Sequence, residues 1–211
     1  MRFFQRISRV GLVLILFGAM MLTQSASDFI ISFHAPKSFV DVLEDGLSAG
    51  DRVQGQVPLL LDSFAYEQTW TESGGSRTAK KTSEYYYVLP AGDSFAGLTI
   101  SAHNSAAADD LVEQTYDYLS GGAEPSAVVE IDARVSEMEA DLIPMFEEEM
   151  KGYYDFTSRE LELMKPYLMI EPRSFTAVRV LCIGSAALIL TGVFVLVRRW
   201  RADSGNTSSG S

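Results

Sequence analysis

Residues 83–102 read SEYYYVLPAGDSFAGLTISA and carry the clearest secondary-structure signal in the central region of the chain. The two flanking segments, 83–89 and 95–102, are rich in aromatic and β-branched residues, a composition typical of strands. Between them, PAGDS at 90–94 supplies the Pro, Gly and Asp of a tight turn. The stretch therefore predicts a β-hairpin.

Upstream of the hairpin, the segment 52–70 alternates apolar and polar residues and changes phase near its middle. This pattern predicts one long strand with a slip in register. Gly55 and Pro58 indicate a bulge or a sheet edge, because proline cannot donate a hydrogen bond to a neighbouring strand. The hairpin and this strand together give three strands in succession.

Downstream, apolar residues recur at helical spacing over 104–119, and Gly121-Gly122 ends the predicted helix. A half-buried strand follows at 127–135, and an apolar segment at 167–171 predicts the last strand.

Two capping-box patterns between these strands predict helices. Ser136 with Glu139 opens the first, although Pro144 should kink or delay it, and Thr157 with Glu160 opens a short second helix. The order of elements, three strands, a helix, a strand, helices and a strand, is that of the OB-fold with a helical insertion. The predicted class is α+β, as an OB-like, partly open five-stranded barrel with helical insertions; a different small α+β sheet is the alternative.

Two apolar blocks flank this region. Val10–Leu22 follows three Arg residues, and Val180–Val197 is uncharged and precedes a basic cluster. Both predict transmembrane helices. Five residues are predicted to anchor the second helix in the headgroup regions: Arg179, Arg198, Arg199, Trp200 and Arg201. The predicted organisation is a 1–9 tail, helix 1 at 10–31, an OB-like domain at 32–174, helix 2 at 175–197 and a disordered tail at 198–211.

The first apolar block has a second interpretation. Its length and the small residues SAS at 25–27 also suit a cleaved signal peptide, which would leave a protein with one span.

Charge sets the expected topology. The 211 residues carry a formal net charge of -11, yet each tail has an excess of Arg. Residues 28–175 hold 10 Lys and Arg against 27 Asp and Glu. The positive-inside rule then places both termini in the cytoplasm and the acidic domain outside, in a multi-pass cell-membrane protein. So acidic a surface excludes general nucleic-acid binding, which needs cations to neutralise phosphates.

Five segments together resemble an uncharacterised family of bacterial membrane proteins with one extracytoplasmic domain between two spans: GDRVQGQV at 50–57, EYYYVLP at 84–90, LVEQTYDYLSGG at 111–122, ARVSEME at 133–139 and PYLMIEP at 166–172. The first segment also resembles the start of the small OB domains of NfeD-type membrane proteins. The family resemblance implies no activity and transfers no functional residue.

The candidate ligand groove is aromatic. Tyr85, Tyr86 and Tyr87 alternate across a predicted strand, and with Trp70 they are expected to present an aromatic face in the barrel groove. The opposing interpretation places two of these rings in the core. The acidic run at 147–149 suits a solvated helix face better than a calcium loop. We nominate no catalytic residue, no metal ligand and no cofactor, since the serines lack the known nucleophile motifs.

These patterns favour a non-enzymatic protein that is anchored in the lipid bilayer by its spans. Its acidic outer domain is then a binding or interaction module, with a membrane or envelope protein as partner. An assembly role is the alternative, in which the spans pack with another membrane protein through Gly184 and Gly192. A metal-dependent hydrolase is the third and least favoured function. The sequence does not specify an oligomeric state.

Overall fold

The computed structural model describes residues 9–205 except 71, 74, 75 and 78, and it divides them into two units. Residues 9–33 and 174–205 form the first unit, and residues 34–173 form the second. The helices are α1 Arg9–Ile31, α2 Phe39–Asp45, α3 Ser105–Leu119, α4 Ile143–Gly152, α5 Ser158–Leu163 and α6 Phe175–Gly205. The strands are β1 Arg52–Gln56, β2 Ser63–Thr69, β3 Glu72–Ser73, β4 Ser76–Arg77, β5 Lys81–Ala91, β6 Ser94–Ser101, β7 Glu130–Glu137 and β8 Leu168–Pro172.

The second unit is built on a six-stranded mixed sheet with the order β1-β7-β8-β6-β5-β2. All neighbours pair antiparallel except β6 and β8, which are parallel. Among the described residues, β3 and β4 form a separate two-stranded sheet. The α+β class is therefore confirmed.

The structure does not confirm the OB-like barrel, because the sheet is open and has β1 and β2 as its two edges. The reason lies in the burial of both faces. In β5, the consecutive residues Tyr87, Val88 and Leu89 are all buried. A sheet covered on both faces has two cores and no single barrel interior to close around.

Each face of the sheet has its own apolar core. Helices α2 and α3 cover one face, with Phe39 and Leu111 in its core. Helices α4 and α5 cover the other face, where Phe146 and Leu161 pack against Met169 of β8. Burying one such side chain contributes roughly 1.5–3 kcal/mol, so both helical layers are held mainly by apolar contact.

The hairpin predicted at 83–102 is confirmed as β5 and β6 in continuous antiparallel register. The single long strand predicted over 52–70 is wrong, since β1 and β2 lie at opposite edges of the sheet. Val57 and Leu60 in the connection between them are fully buried, and the Leu60 amide donates to Thr115 Oγ1 of α3 at 3.1 Å. The chain therefore crosses the core at the phase change that resembled a register slip.

Of the two predicted capping boxes, the structure contains one. Thr157 and Glu160 form the predicted capping box of α5. The Ser136 pattern opens no helix: residue 136 lies in β7, and α4 begins at Ile143 with Pro144 in its first turn. Proline is favoured in that position because its missing amide hydrogen is not needed there. The expected delay at Pro144 is confirmed.

In the first unit, α1 and α6 pack antiparallel along their length. The contacts run in opposite chain directions, from Gly11 beside Gly192 to Ser25 Oγ at 3.1 Å from Cys182 Sγ. A Cβ added to Gly11 would lie 2.9 Å from the Gly192 carbonyl oxygen, so the close approach requires glycine. Both helices are long and apolar enough to cross a membrane.

Candidate functional site

The aromatic residues expected in one groove lie in different environments. Tyr85 and Tyr87 point to the α3 face of the sheet, where Tyr87 is 1% exposed and its hydroxyl donates to Asp109 Oδ1 at 2.7 Å. Tyr86 points to the opposite face, as strand alternation requires. Trp70 is 48% exposed, with Lys80 Nζ 5.6 Å from its ring centroid. The structure therefore does not gather the four rings into one cleft.

Tyr86 and Tyr87 are held as neutral phenols. Burial, followed by the negative charges of Glu84 and Glu67, raises the pKa of Tyr86 to about 12. Burial and the hydrogen bond to Asp109 raise the pKa of Tyr87 further. These groups are parts of the core and its rim.

A different aromatic site lies at the ends of α3 and α4, and we call it the tyrosine cavity. It has a volume of about 680 Å³, and its polar side chains are Asp62, Tyr116, Tyr153 and Tyr154. Its remaining lining is apolar: Leu61, Pro90, Phe95 and Leu119. The volume lies within the range of small-ligand sites, which are mainly apolar with a few converging polar groups.

Backbone hydrogen bonds fix the position of Asp62 in this cavity. The Leu61 amide donates to the Val88 carbonyl at 2.9 Å, and the Val88 amide donates to the Asp62 carbonyl at 3.1 Å. Thr115, directly before Tyr116, is buried and tied to the Leu60 amide. Asp62 thus lies directly before β2 in hydrogen-bonded backbone, and its carboxylate faces the turn of α3 that carries Tyr116.

The segment after α4 brings the other two tyrosines. Phe95 and Tyr154 stack with ring centroids 6.4 Å apart, and Phe95 meets Phe156 edge to face at 5.5 Å. Asp155 between them has a left-handed backbone with φ 56°. Such a conformation costs a non-glycine residue roughly 1–2 kcal/mol, so the ring contacts on both sides hold the loop in place.

A hydrogen-bonded chain links the polar groups of the tyrosine cavity. The Tyr116 hydroxyl donates to Asp62 Oδ2 at 2.7 Å, and the hydroxyls of Tyr116 and Tyr154 are 2.9 Å apart. Burial, then the hydrogen bonds with Tyr154 and Asp62, raise the pKa of Tyr116, which stays a neutral donor. The Asp62 carboxylate is thereby oriented by the Tyr116 hydroxyl, which in turn contacts the Tyr154 hydroxyl.

The surroundings of the cavity are electronegative. Burial raises the pKa of Glu149 on α4, and the negative charges of Asp62 and Glu148 raise it further. Glu147 of the same acidic run instead accepts a hydrogen bond from Tyr167 at 3.0 Å. Among the described residues, no group of His, Cys, Asp or Glu side chains is arranged to hold a metal ion.

Charged residues on β1, β7 and β8 form a second polar constellation, which we call the charge ladder. Arg52 donates to both carboxylate oxygens of Asp132, at 3.0 and 2.8 Å. Arg134 donates twice to Glu171 Oε2, at 3.0 and 2.8 Å, while Ser136 donates to Oε1 at 2.6 Å. The Arg52–Asp132 pair is bidentate, an arrangement that fixes geometry as well as charge, whereas both Arg134 donors meet one oxygen of Glu171.

Two further cavities are less suited to a specific ligand. The larger, of about 780 Å³, lies between the α2–β1 connection, the β5–β6 turn and α5. Its carboxylate Glu160 is engaged in the α5 capping box, and Asp93 is exposed. The other, of about 280 Å³, lies beside the charge ladder and shares Arg134 and Glu171 with it.

The predicted membrane anchors take up two arrangements. Arg179 reaches across to α1, where its Nε donates to Ser32 Oγ at 3.0 Å and its guanidinium also donates to the Ser32 carbonyl. The guanidinium carbon lies 4.9 Å from the Phe33 ring centroid. Arg179 thus caps the carbonyl end of α1, a position that favours a cation. At the far end of α6, Arg198, Arg199, Trp200 and Arg201 are exposed.

One of the two glycines expected to mediate assembly instead packs within the chain, between α1 and α6. A Cβ on Gly192 would lie 2.7 Å from the Gly11 carbonyl oxygen, whereas a Cβ on Gly184 would have no neighbour within 4 Å in the part of the chain that the structure describes. Gly192 therefore serves packing inside the chain, and only Gly184 faces outward.

Sequence reasoning missed the tyrosine cavity because its residues are far apart in the chain. Tyr116 lies 54 positions from Asp62 and 38 from Tyr154. No local spacing connects them. The one usable signal was the adjacent pair Tyr153-Tyr154 at the end of a helix, where tyrosine contributes nothing to capping.

The molecule thus belongs to the class of small α+β domains joined to helices long and apolar enough to cross a membrane. The chain belongs to a family described as a domain of unknown function (DUF8577), whose model matches residues 1–198. No curated protein and no solved structure matches it. The resemblance to an uncharacterised family is confirmed at this level, and the likeness to NfeD-type OB domains finds no support.

Proposed function

We propose that this protein is a two-span integral membrane protein whose acidic outer domain binds a ligand, without catalysis, through the tyrosine cavity. The observation that carries the proposal is the chain of hydroxyl groups from Tyr154 through Tyr116 to a half-buried Asp62 inside an otherwise apolar cavity. A few oriented polar groups in an apolar recess are typical of sites that recognise a ligand.

The exposed apolar surface at the rim supports this proposal. Tyr153 is 74% exposed and Leu119 is 61% exposed, although both line the cavity. Such side chains gain apolar contact only when something covers them. A bound molecule would supply that cover.

The proposed topology places residues 32–174 outside the cell membrane and both termini in the cytoplasm. Antiparallel packing of α1 and α6 supports it, since helices arranged in this way bring residues 9 and 205 to the same end of the pair. The exposed Arg198, Arg199 and Arg201 then lie on the cytoplasmic side, as the positive-inside rule requires. In this reading α1 is retained as a membrane helix and is not cleaved as a signal peptide.

Photo-crosslinking tests the binding function in the full-length protein. A benzoylphenylalanine at position 153 should give a discrete adduct in native membranes, and Asp62→Asn should remove it. The same probe at position 118 is the matched control, because Tyr118 is 43% exposed on α3 but does not line the cavity. Identical adducts at both positions, or an adduct at 153 that ignores Asp62, would contradict the proposed function.

A second candidate function is assembly with another membrane protein through the spans. The open surface at Gly184 favours it, since small residues allow close approach of a further helix. Gly184→Leu should then abolish recovery of a partner that Asp62→Asn leaves bound.

A further inference from the structure

We propose that the ligand of the tyrosine cavity is an organic cation, an alkylated ammonium group such as that of choline. This inference rests on the proposed binding function and names the chemistry of its ligand. It follows from the sign of the charge in the cavity, from the aromatic lining and from the poor fit of the alternatives.

The sign of the charge comes first. Among the described residues that line the cavity, Asp62 carries the only charged side chain. After burial, the negative charge of Asp62 further raises the pKa of the neighbouring Glu149 on α4. An entering cation would meet attraction from both carboxylates, whereas an anion would be repelled.

The aromatic lining selects the kind of cation. Phe95, Tyr116, Tyr153 and Tyr154 bring four rings to one cavity. Aromatic faces attract cations, and their apolar surface accommodates the methyl groups of a quaternary ammonium, which need no hydrogen-bond partner. Tyrosine rings beside a carboxylate therefore match a cation with an apolar surface.

An inorganic cation fits less well. Calcium takes six to eight oxygen ligands, and magnesium keeps much of its water. The described lining offers one carboxylate and three hydroxyls, one of them on the 74% exposed Tyr153. The other lining side chains, those of Leu61, Pro90, Phe95 and Leu119, are hydrocarbon and cannot coordinate a metal ion.

The geometry also assigns a role to Tyr116. Its hydroxyl occupies Asp62 Oδ2 at 2.7 Å and so holds the carboxylate at the cavity wall. Tyr116 is a positioning residue in this scheme. Tyr116→Phe keeps the ring and should weaken cation binding only a few-fold, whereas Asp62→Asn removes the charge.

The test is calorimetric titration of the full-length protein in a maltoside detergent, which carries no charged headgroup. Choline and tetramethylammonium chlorides are compared with 3,3-dimethylbutanol, the uncharged analogue of choline, with sodium chloride as the salt control. Both ammonium ions should bind at least ten-fold more tightly than the alcohol. Asp62→Asn should remove that preference, while Asp110→Asn on the exposed face of α3 should not.

Nanodiscs separate the two sources of such a group. Suppression of choline binding by phosphatidylcholine nanodiscs, but not by phosphatidylglycerol nanodiscs, identifies a lipid headgroup as the source. Undiminished binding in both identifies a free solute. Equal affinity for choline and its uncharged analogue, or wild-type affinity in Asp62→Asn, overturns the inference. An Asp62-dependent crosslink at position 153 would in that case still uphold the binding function, with a ligand of different chemistry.

Discussion

The tyrosine cavity and the charge ladder are two polar constellations in one domain, and they treat their carboxylates differently. In the charge ladder, Asp132 accepts from Arg52 through both of its carboxylate oxygens, and Glu171 accepts two hydrogen bonds from Arg134 at one oxygen. In the tyrosine cavity, the carboxylate of Asp62 meets the hydroxyl of Tyr116. A carboxylate compensated by arginine is a structural element, whereas one oriented only by a neutral donor retains its charge for a ligand.

The largest expected effect breaks the charge ladder. Arg134→Ala should lower the free energy of unfolding by about 2 kcal/mol, because it removes both Arg134 hydrogen bonds to the partly buried Glu171 and leaves, among the described residues, only Ser136 and the longer contact with Arg173. Urea unfolding of the full-length protein in maltoside measures the change. The free energy of unfolding of Arg134→Lys should lie between those of the wild type and Arg134→Ala, since lysine keeps the positive charge but loses the paired guanidinium donors.

The matched control for that change is Arg159→Ala, which removes the same side chain from an exposed position on α5. It should leave the unfolding midpoint close to that of the wild type. Equal losses at positions 134 and 159 would show that the charge ladder has no special structural weight.

The next effect concerns pH and sharpens the same contrast. Burial alone would raise the pKa of Glu171, but the hydrogen bonds from Ser136 and Arg134 and the charges of Arg134 and Arg173 outweigh it and hold the pKa below its ordinary value. The unfolded chain therefore takes up this proton more readily than the folded one. The stability that Glu171 contributes is present above its unfolded pKa and is lost as pH falls through its folded pKa.

Unfolding of wild type and Glu171→Gln over a range of pH checks this sign. The difference in stability between the two proteins should be constant near neutrality and shrink between about pH 5 and pH 3. A difference that grows on acidification would refute the assignment.

The smallest effect is expected in the tyrosine cavity. Asp62→Asn should change the free energy of unfolding by less than about 1 kcal/mol, because Asn still accepts from Tyr116 and its neutrality relieves repulsion with Glu149. Urea unfolding under the same conditions as for Arg134→Ala gives the comparison. A loss as large as that at Arg134 would make Asp62 a structural residue and weaken the binding proposal.

Local patterns were reliable where neighbouring residues made the structure. The hairpin at 83–102, helix α3 and the capping box of Thr157 and Glu160 all depend on contacts within a few residues. The alternation over 52–70 failed for the opposite reason. Burial of Val57 and Leu60 in a crossing connection produces the same apolar pattern as burial in a strand.

The aromatic residues show the same limit. Three consecutive tyrosines predicted a strand correctly, yet alternation sends Tyr86 to the opposite face from Tyr85 and Tyr87. Which face is covered by a helix is not encoded in the strand itself. The site of interest arose instead from Tyr116 and Tyr154, which belong to different helical segments and meet only in the folded domain.

By itself, the sequence determined the two apolar helices, the acidic character of the domain between them and the α+β class. These properties depend on composition and short-range periodicity, which act before the chain is folded. Only the tertiary structure decided that the sheet stays open, that Gly192 packs against Gly11 and that Asp62, Tyr116 and Tyr154 share a cavity. Those outcomes depend on which distant surfaces bury each other, and long-range packing leaves no local trace in the sequence.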